Sequence, residues 1–202
     1  RPGSGGISRA EEIDRVAPVI EQSVGFGVPI SIDTSKAAVM EAALSAGASI
    51  INDVTALTGD PESLGVAARA KVPVILMHMR GAPRTMQDEP RYDCAPLDVV
   101  DYLSNRMAAC ERVGIPSTNL LVDPGIGFGK SDVHNAAILA RIGLLHGLGA
   151  PVMVGASRKS MIARLSRDEA PNERLGGSLA LGLGVVDQGV RILRVHDVAA
   201  TK

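Results

Sequence analysis

The chain has 202 residues, 46% of them hydrophobic, with a mean hydropathy of +0.17 and 21 basic against 22 acidic side chains for a net charge of -1. That is enough apolar material for one substantial core, and it excludes both a disordered chain and the basic footprint of a nucleic-acid binder. Aromatic residues make up 2% with no Trp, so there is no stacking platform for single strands, and no apolar run reaches the length of a membrane span.

The opening RPGSGGISRAEE lacks the apolar core of a signal peptide. Cys94 and Cys110 are too few and too unpatterned for a disulfide framework or a zinc site. Both features suit a reducing compartment, and the expected location is cytoplasmic.

In chain order, Ser8 with Glu11 three residues on forms a capping-box pattern. Ile13, Val16, Ala17, Ile20 and Val24 then fall on one helical face, closed by Gly25 and Gly27. The apolar run VPISID (28–33) reads as a strand and is followed by a helical period over 35–46. The same pairing recurs as ASIIND (48–53) with a helix at 62–70, and as VPVILMHM (72–79) with a helix at 95–113. NLLVDPG (119–125) leads to a helix at 131–146, APVMVGASRKS (150–160) to a helix at 172–187, and VRILRVHD (190–197) comes last. Such β-α alternation predicts a parallel sheet with crossover helices, either a closed (β/α)8 TIM barrel or an open doubly wound sheet. In both, ligands bind outside the carboxyl ends of the strands, where this chain places Asp33, Asn52, Asp53, His78, Asp123, Lys159, Arg194 and His196.

The chain opens on a Gly-rich loop that enters a helix with no strand before it, and it ends at VAATK shortly after the sixth run. The expectation is a single domain over 1–202, incomplete at both ends, with at least one strand before Arg1 and one helix after Lys202. Missing flanks favour the eight-stranded barrel.

Three segments carry chemistry. In LLVDPGIGFGK (120–130) a buried strand delivers Asp123 to its tip, and glycines leave the backbone open around Phe128. A carboxylate there can grip paired N–H donors of a ligand, or simply bond nearby backbone. In VMVGASRKS (152–160) Gly155 and Ala156 allow a close turn, and Ser157, Arg158, Lys159 and Ser160 begin a helix whose first N–H groups favour an anion. Adjacent cations are electrostatically misplaced at a helix start unless they serve a ligand. In ILRVHD the alternation turns Arg194 and His196 to one side, suited to phosphate or diphosphate, or else to an Arg194 pair with Asp197.

SIDTSK and INDV are weaker. Asp33 and Thr34 resemble an N-cap for a helix from Ser35, and Asn52 or Asp53 could act likewise. Met77 and Met79 either line a flat heterocycle or fill the core, and His78, pointing the opposite way, reads as structural. Metal-ligand spacing is missing throughout, so any Mg2+ is expected to ride on substrate phosphates.

Taken together, RPG, SIDTSK, SIINDVTAL, PVILMHMRGAPRTMQ, LLVDPGIGFGK, MVGASRKSMI, GSLA and LRVHDV resemble, in order and over essentially the whole chain, the bacterial dihydropteroate synthase family. The resemblance implies a TIM-barrel transferase of folate biosynthesis. Its reaction joins 6-hydroxymethyl-7,8-dihydropterin diphosphate to 4-aminobenzoate and releases diphosphate with Mg2+ present. It also implies a homodimer and a sulfonamide target, with small-molecule substrates and neither nucleic acid nor membrane as partners. Carried over by motif, Asp33, Asn52, Asp123 and Lys159 would hydrogen-bond the pterin, Met77 would line its pocket and Arg194 would cover its face. Arg1, Arg194 and His196 would meet the diphosphate, and Pro2, Phe128, Gly155, Lys159 and Ser160 would shape the aminobenzoate site. Lys159, Arg194 and His196 would be the catalytic set. The family's first loop, and most of its second, lie upstream of RPG and are not in this sequence. The alternatives are a corrinoid-linked pterin-binding methyltransferase domain and a non-catalytic pterin-binding fragment.

Overall fold

The structure, a computed structural model, describes residues 7–81, 86 and 89–202. These residues form two compact units, one from 7–78 with 102–121, the other from 79–81, 86, 89–101 and 122–202.

In the first unit, α1 (Arg9–Ser23) is capped by Ser8, whose hydroxyl accepts the Glu11 N–H at 3.1 Å, as the capping pattern predicts. Strand β1 (Ser31–Asp33) pairs in parallel with β2 (Ile50–Asp53), and β2 pairs with β3 (Val74–Met77). The predicted runs are longer than the paired strands because their outer residues only lead into and out of the ladder.

Between the strands lie α2 (Ala37–Ser45) and α3 (Ser63–Ala70). Their buried Val39, Met40, Ala43, Val66 and Ala67 belong to the same aliphatic core as Ile51, Val74 and Leu76. Burying a Val, Leu or Ile side chain is worth about 1.5–3 kcal/mol, so this core needs no aromatic residues.

Helix α2 begins two residues later than Ser35, and neither Asp33 nor Thr34 is its N-cap. Asp60, from the loop before α3, accepts the Ala37 N–H at 3.1 Å and the Glu62 N–H at 3.1 Å. Thr34 instead donates to Glu12 at 2.5 Å, and Glu12 also pairs with Lys36 at 2.6 Å.

Helix α4 (Ala95–Arg112) starts in the second unit and ends in the first, where β4 (Leu120–Asp123) starts. In the second unit Val122 bridges in parallel to Val152, and β5 (Met153–Val154) pairs in parallel with β6 (Ile192–Leu193). Helices α5 (Asp132–Leu139), α6 (Ser160–Leu165), α7 (Leu175–Val186) and α8 (Val198–Thr201) complete it. The predicted helix at 131–146 is therefore split: α5 ends at Leu139, and a 3-10 segment runs from Ile142 to Leu148 through Gly143 and Gly147. Among the described residues no helix is long and apolar enough to cross a membrane.

Candidate active site

Register decides which strand-end residues share a face. In the first unit Asp33 pairs with Asn52 and Asn52 with Ile75, so Asp33, Asn52 and, two residues beyond Ile75, Met77 lie on one face. Asp53 falls on the other. Its carboxylate accepts the Thr55 N–H at 2.8 Å, the Thr55 hydroxyl at 2.7 Å and the Leu57 N–H at 3.0 Å, a device that fixes the local turn. Asn52 differs sharply: it is buried, and its Oδ1 has no hydrogen-bond partner among the described residues. A buried amide oxygen on the face shared with Asp33 can accept a hydrogen bond from a ligand. Met77 is buried, and His78 packs edge-on against Tyr102 with ring centroids 4.9 Å apart, the structural role expected of it.

In the second unit the Val122–Val152 bridge and the β5–β6 register align Asp123 with Met153 and Ile192, two residues short of Gly155 and Arg194. Asp123, Gly155 and Arg194 therefore share a face. The Arg194 N–H donates to the Val154 carbonyl at 3.0 Å, and a Cβ on Gly155 would touch the Arg194 stem at 3.7 Å. Asp123 is buried and accepts the Gly125 N–H at 2.7 Å. Burial pushes its carboxyl up to about 6, held back by that N–H and by the cations Lys159, Lys130 and Arg194.

Lys130 is the residue the sequence reading passed over. Its buried ammonium donates to the carbonyls of Gly125 and Phe128, both at 2.9 Å, and the Gly127 N–H donates to Asn135 at 2.9 Å. Burial drives the Lys130 ammonium down to about 7 against the pull of Asp123. The sequence signal was present in GFGK: a lysine directly after a glycine turn can fold back onto the turn's own carbonyls. Gly129, at φ +62, lies so near Arg80 that a Cβ would collide with the Arg80 carbonyl oxygen, and Tyr92 donates to the Gly129 carbonyl at 2.7 Å. These contacts fix the loop that carries Phe128.

Lys159 precedes α6, and its ammonium sits 4.2 Å from the Phe128 ring centroid. Ser160, the first residue of α6, is exposed. The alternative considered for Asp197, a pair with Arg194, gives way to another partner. Arg158 takes both oxygens of Asp197, through Nε at 2.9 Å and through Nη2. The awkward pair of cations before α6 thus resolves into one structural arginine and one lysine beside the aromatic loop. His196 is exposed, with Nδ1 3.1 Å from Ser157 Oγ. Arg1 and Pro2 lie outside the described residues.

Among the described residues no group of three or more His, Cys, Asp or Glu side chains stands together to hold a metal. Asp123, the buried carboxylate here, is surrounded by cations, a donor set that suits anions and does not fit a resident Mg2+.

Comparison with known proteins identifies the family. The model of the pterin binding enzyme family matches residues 1–196. A dihydropteroate synthase of Escherichia coli (strain K12) is 46% identical over 202 residues, spanning 100% of this chain and 71% of that protein. The solved structure of the Yersinia pestis dihydropteroate synthase in a sulfonamide drug complex superposes with a TM-score of 0.95 at 44% identity, covering 100% of this chain and 72% of that one. The Xanthomonas albilineans dihydropteroate synthase in complex with 7,8-dihydropteroate gives a TM-score of 0.90 at 45% identity, covering 96% and 71%. The fold is that of a TIM-barrel enzyme.

Proposed function

The chain belongs to the pterin-binding enzyme family, and from that premise we propose that it works as a dihydropteroate synthase. It condenses 6-hydroxymethyl-7,8-dihydropterin diphosphate with 4-aminobenzoate to give 7,8-dihydropteroate and diphosphate. The amine nitrogen forms a bond to the pterin methylene carbon as the carbon–oxygen bond to diphosphate breaks, and the amine then loses a proton.

One observation carries this reading: Asp123 is a buried carboxylate at a strand end, under the influence of three cations and next to a glycine loop that presents Phe128. A carboxylate suits the paired ring and exocyclic N–H groups of a pterin. The cations suit the two anions, diphosphate and benzoate, that this reaction brings together.

In this reading the pterin contacts are those the family resemblance assigns, Asp33, Asn52, Met77, Asp123, Lys159 and Arg194. Arg1, Arg194 and His196 meet the diphosphate, and Pro2, Phe128, Gly155, Lys159 and Ser160 shape the aminobenzoate position. Positive charge develops on the pterin methylene as diphosphate leaves. The electron-rich pterin stabilises that charge, Arg194 and His196 stabilise the departing anion, and no protein nucleophile takes part. Mg2+ belongs with the substrate diphosphate. We read residues 1–202 as one barrel domain, supported by a single family match over 1–196. A cytoplasmic location is supported by two cysteines, Cys94 and Cys110, that are both unpaired.

The test is to supply both substrates with Mg2+ and follow dihydropteroate by chromatography alongside diphosphate release. Equal amounts of the two products, with inhibition by an aryl sulfonamide that added 4-aminobenzoate relieves, are expected. Diphosphate release with no incorporation of 4-aminobenzoate would overturn the reading.

A further inference from the structure

Ser157 is buried in the turn after β5, and its Oγ lies near two groups of one residue, 3.3 Å from the His196 backbone nitrogen and 3.1 Å from His196 Nδ1. A backbone N–H only donates, so Oγ accepts there. The hydroxyl has one proton of its own, and among the described residues Nδ1 is the remaining group within bonding distance. If Nδ1 accepts, that proton is paired, whereas an Nδ1–H donating to Oγ would leave the buried hydroxyl's proton without a partner among the described residues; the first arrangement is the better satisfied. An accepting Nδ1 is unprotonated, and a neutral imidazole then carries its hydrogen on Nε2.

The neighbouring carboxylate acts on His196 through its charge, while its hydrogen bonds go to an arginine. Both oxygens of Asp197 are held by Arg158, whose own N–H donates to Ser178 at 2.9 Å and whose carbonyl accepts from Arg174 at 3.0 Å. Ring orientation and proton placement are thus both set by one serine, while the exposed ring leaves Nε2–H available to an anionic oxygen.

We propose that Ser157 is a positioning residue for the reaction, holding neutral His196 as the Nε2–H tautomer so that it donates to the leaving diphosphate without first becoming an imidazolium. This rests on the diphosphate role given to His196 above.

The test combines nitrogen NMR of the imidazole, with the His196 signals assigned by their loss in His196→Gln, and calorimetry with diphosphate and with a phosphate-free hydroxymethylpterin. In the starting protein Nδ1 should give the signal of an unprotonated nitrogen. Ser157→Ala should shift the ring toward a mixture of tautomers and weaken diphosphate binding about three- to tenfold, the loss of one hydrogen bond's worth. Pterin binding should stay unchanged, and Ser157→Thr should retain the starting behaviour. A protonated Nδ1 in the starting protein overturns the proposal, as does a Ser157→Ala variant that keeps its tautomer or its diphosphate affinity. If Ser157→Ala does not fold, the tautomer of the starting protein and of Ser157→Thr still decides. Unchanged diphosphate binding in His196→Gln would instead sink the functional reading, leaving the tautomer result standing.

Discussion

Lys159 holds its ammonium 4.2 Å from the centre of the Phe128 ring, and its stem runs where a Cβ on Gly127 would touch it at 3.5 Å. A cation over an aromatic face gains about 0.5–2 kcal/mol, more as water is removed. The lysine is therefore held close to the aromatic loop before any ligand arrives, and the same charge bears on Asp123.

Lys159→Ala should accordingly weaken the use of both substrates together. The expected loss is about 1.5–3 kcal/mol, that of a charge-assisted bond. Steady-state constants for both substrates, measured on the variant, check this, and values close to those of the starting protein would remove Lys159 from the site.

Asp123 makes the pH dependence specific. Its folded value of about 6 stands above the ordinary 3.8, so its contribution to stability is fully present below about 4 and is lost as pH rises through 6. Under the role proposed for Asp123, pterin binding uses the carboxylate, so affinity should move the other way, falling about tenfold per unit as pH drops below 6. Asp123→Asn places a donor against donors and should abolish both the binding and its pH dependence while the protein still melts cooperatively. Calorimetry across pH 5 to 8 on both proteins gives the answer.

Lys130→Met keeps the length of the side chain but takes the ammonium from the Phe128 carbonyl and leaves the Gly125 carbonyl with the Phe128 N–H at 3.1 Å. An unsatisfied buried polar group costs about 1–3 kcal/mol, so the variant should melt distinctly earlier and lose aminobenzoate affinity as the loop loosens. Denaturant titration with a parallel binding assay separates the two effects. A variant that melts like its parent would mean that the ammonium does not organise the loop.

Two glycines two residues apart should respond differently to the same change. At Gly129 a methyl group meets the Arg80 carbonyl, which is backbone, at φ +62. At Gly127, φ +82, it meets only the flexible end of Lys159. Gly127→Ala should cost about 1 kcal/mol of conformational strain, whereas Gly129→Ala should cost several times more or prevent folding. Equal melting temperatures for the two variants would contradict the close approach.

The sequence disclosed what is periodic or local. β-α alternation, the Ser8 cap and the strand-end positions of Asp33, Asn52 and Asp123 follow from spacing and parity, because adjacent residues on a strand must face opposite ways. Contacts between distant segments were not legible. Asp60 caps a helix that starts twenty-three residues earlier in the chain, and Arg158 takes Asp197 from thirty-nine residues away. Each of those acids has a nearer candidate in sequence, and only the fold decides the partner. Lys130 was legible in part: GFGK showed a turn onto which a lysine can fold back, whereas the burial that makes it the donor to two loop carbonyls is set by the fold.

The buried Oδ1 of Asn52, to which no described residue donates, bears on how long the protein lasts. A ligand that donates to it engages the folded chain and not the unfolded one, so it adds a mass-action term to stability and survival should rise with occupancy. Resistance to proteolysis should then track the concentration of the pterin.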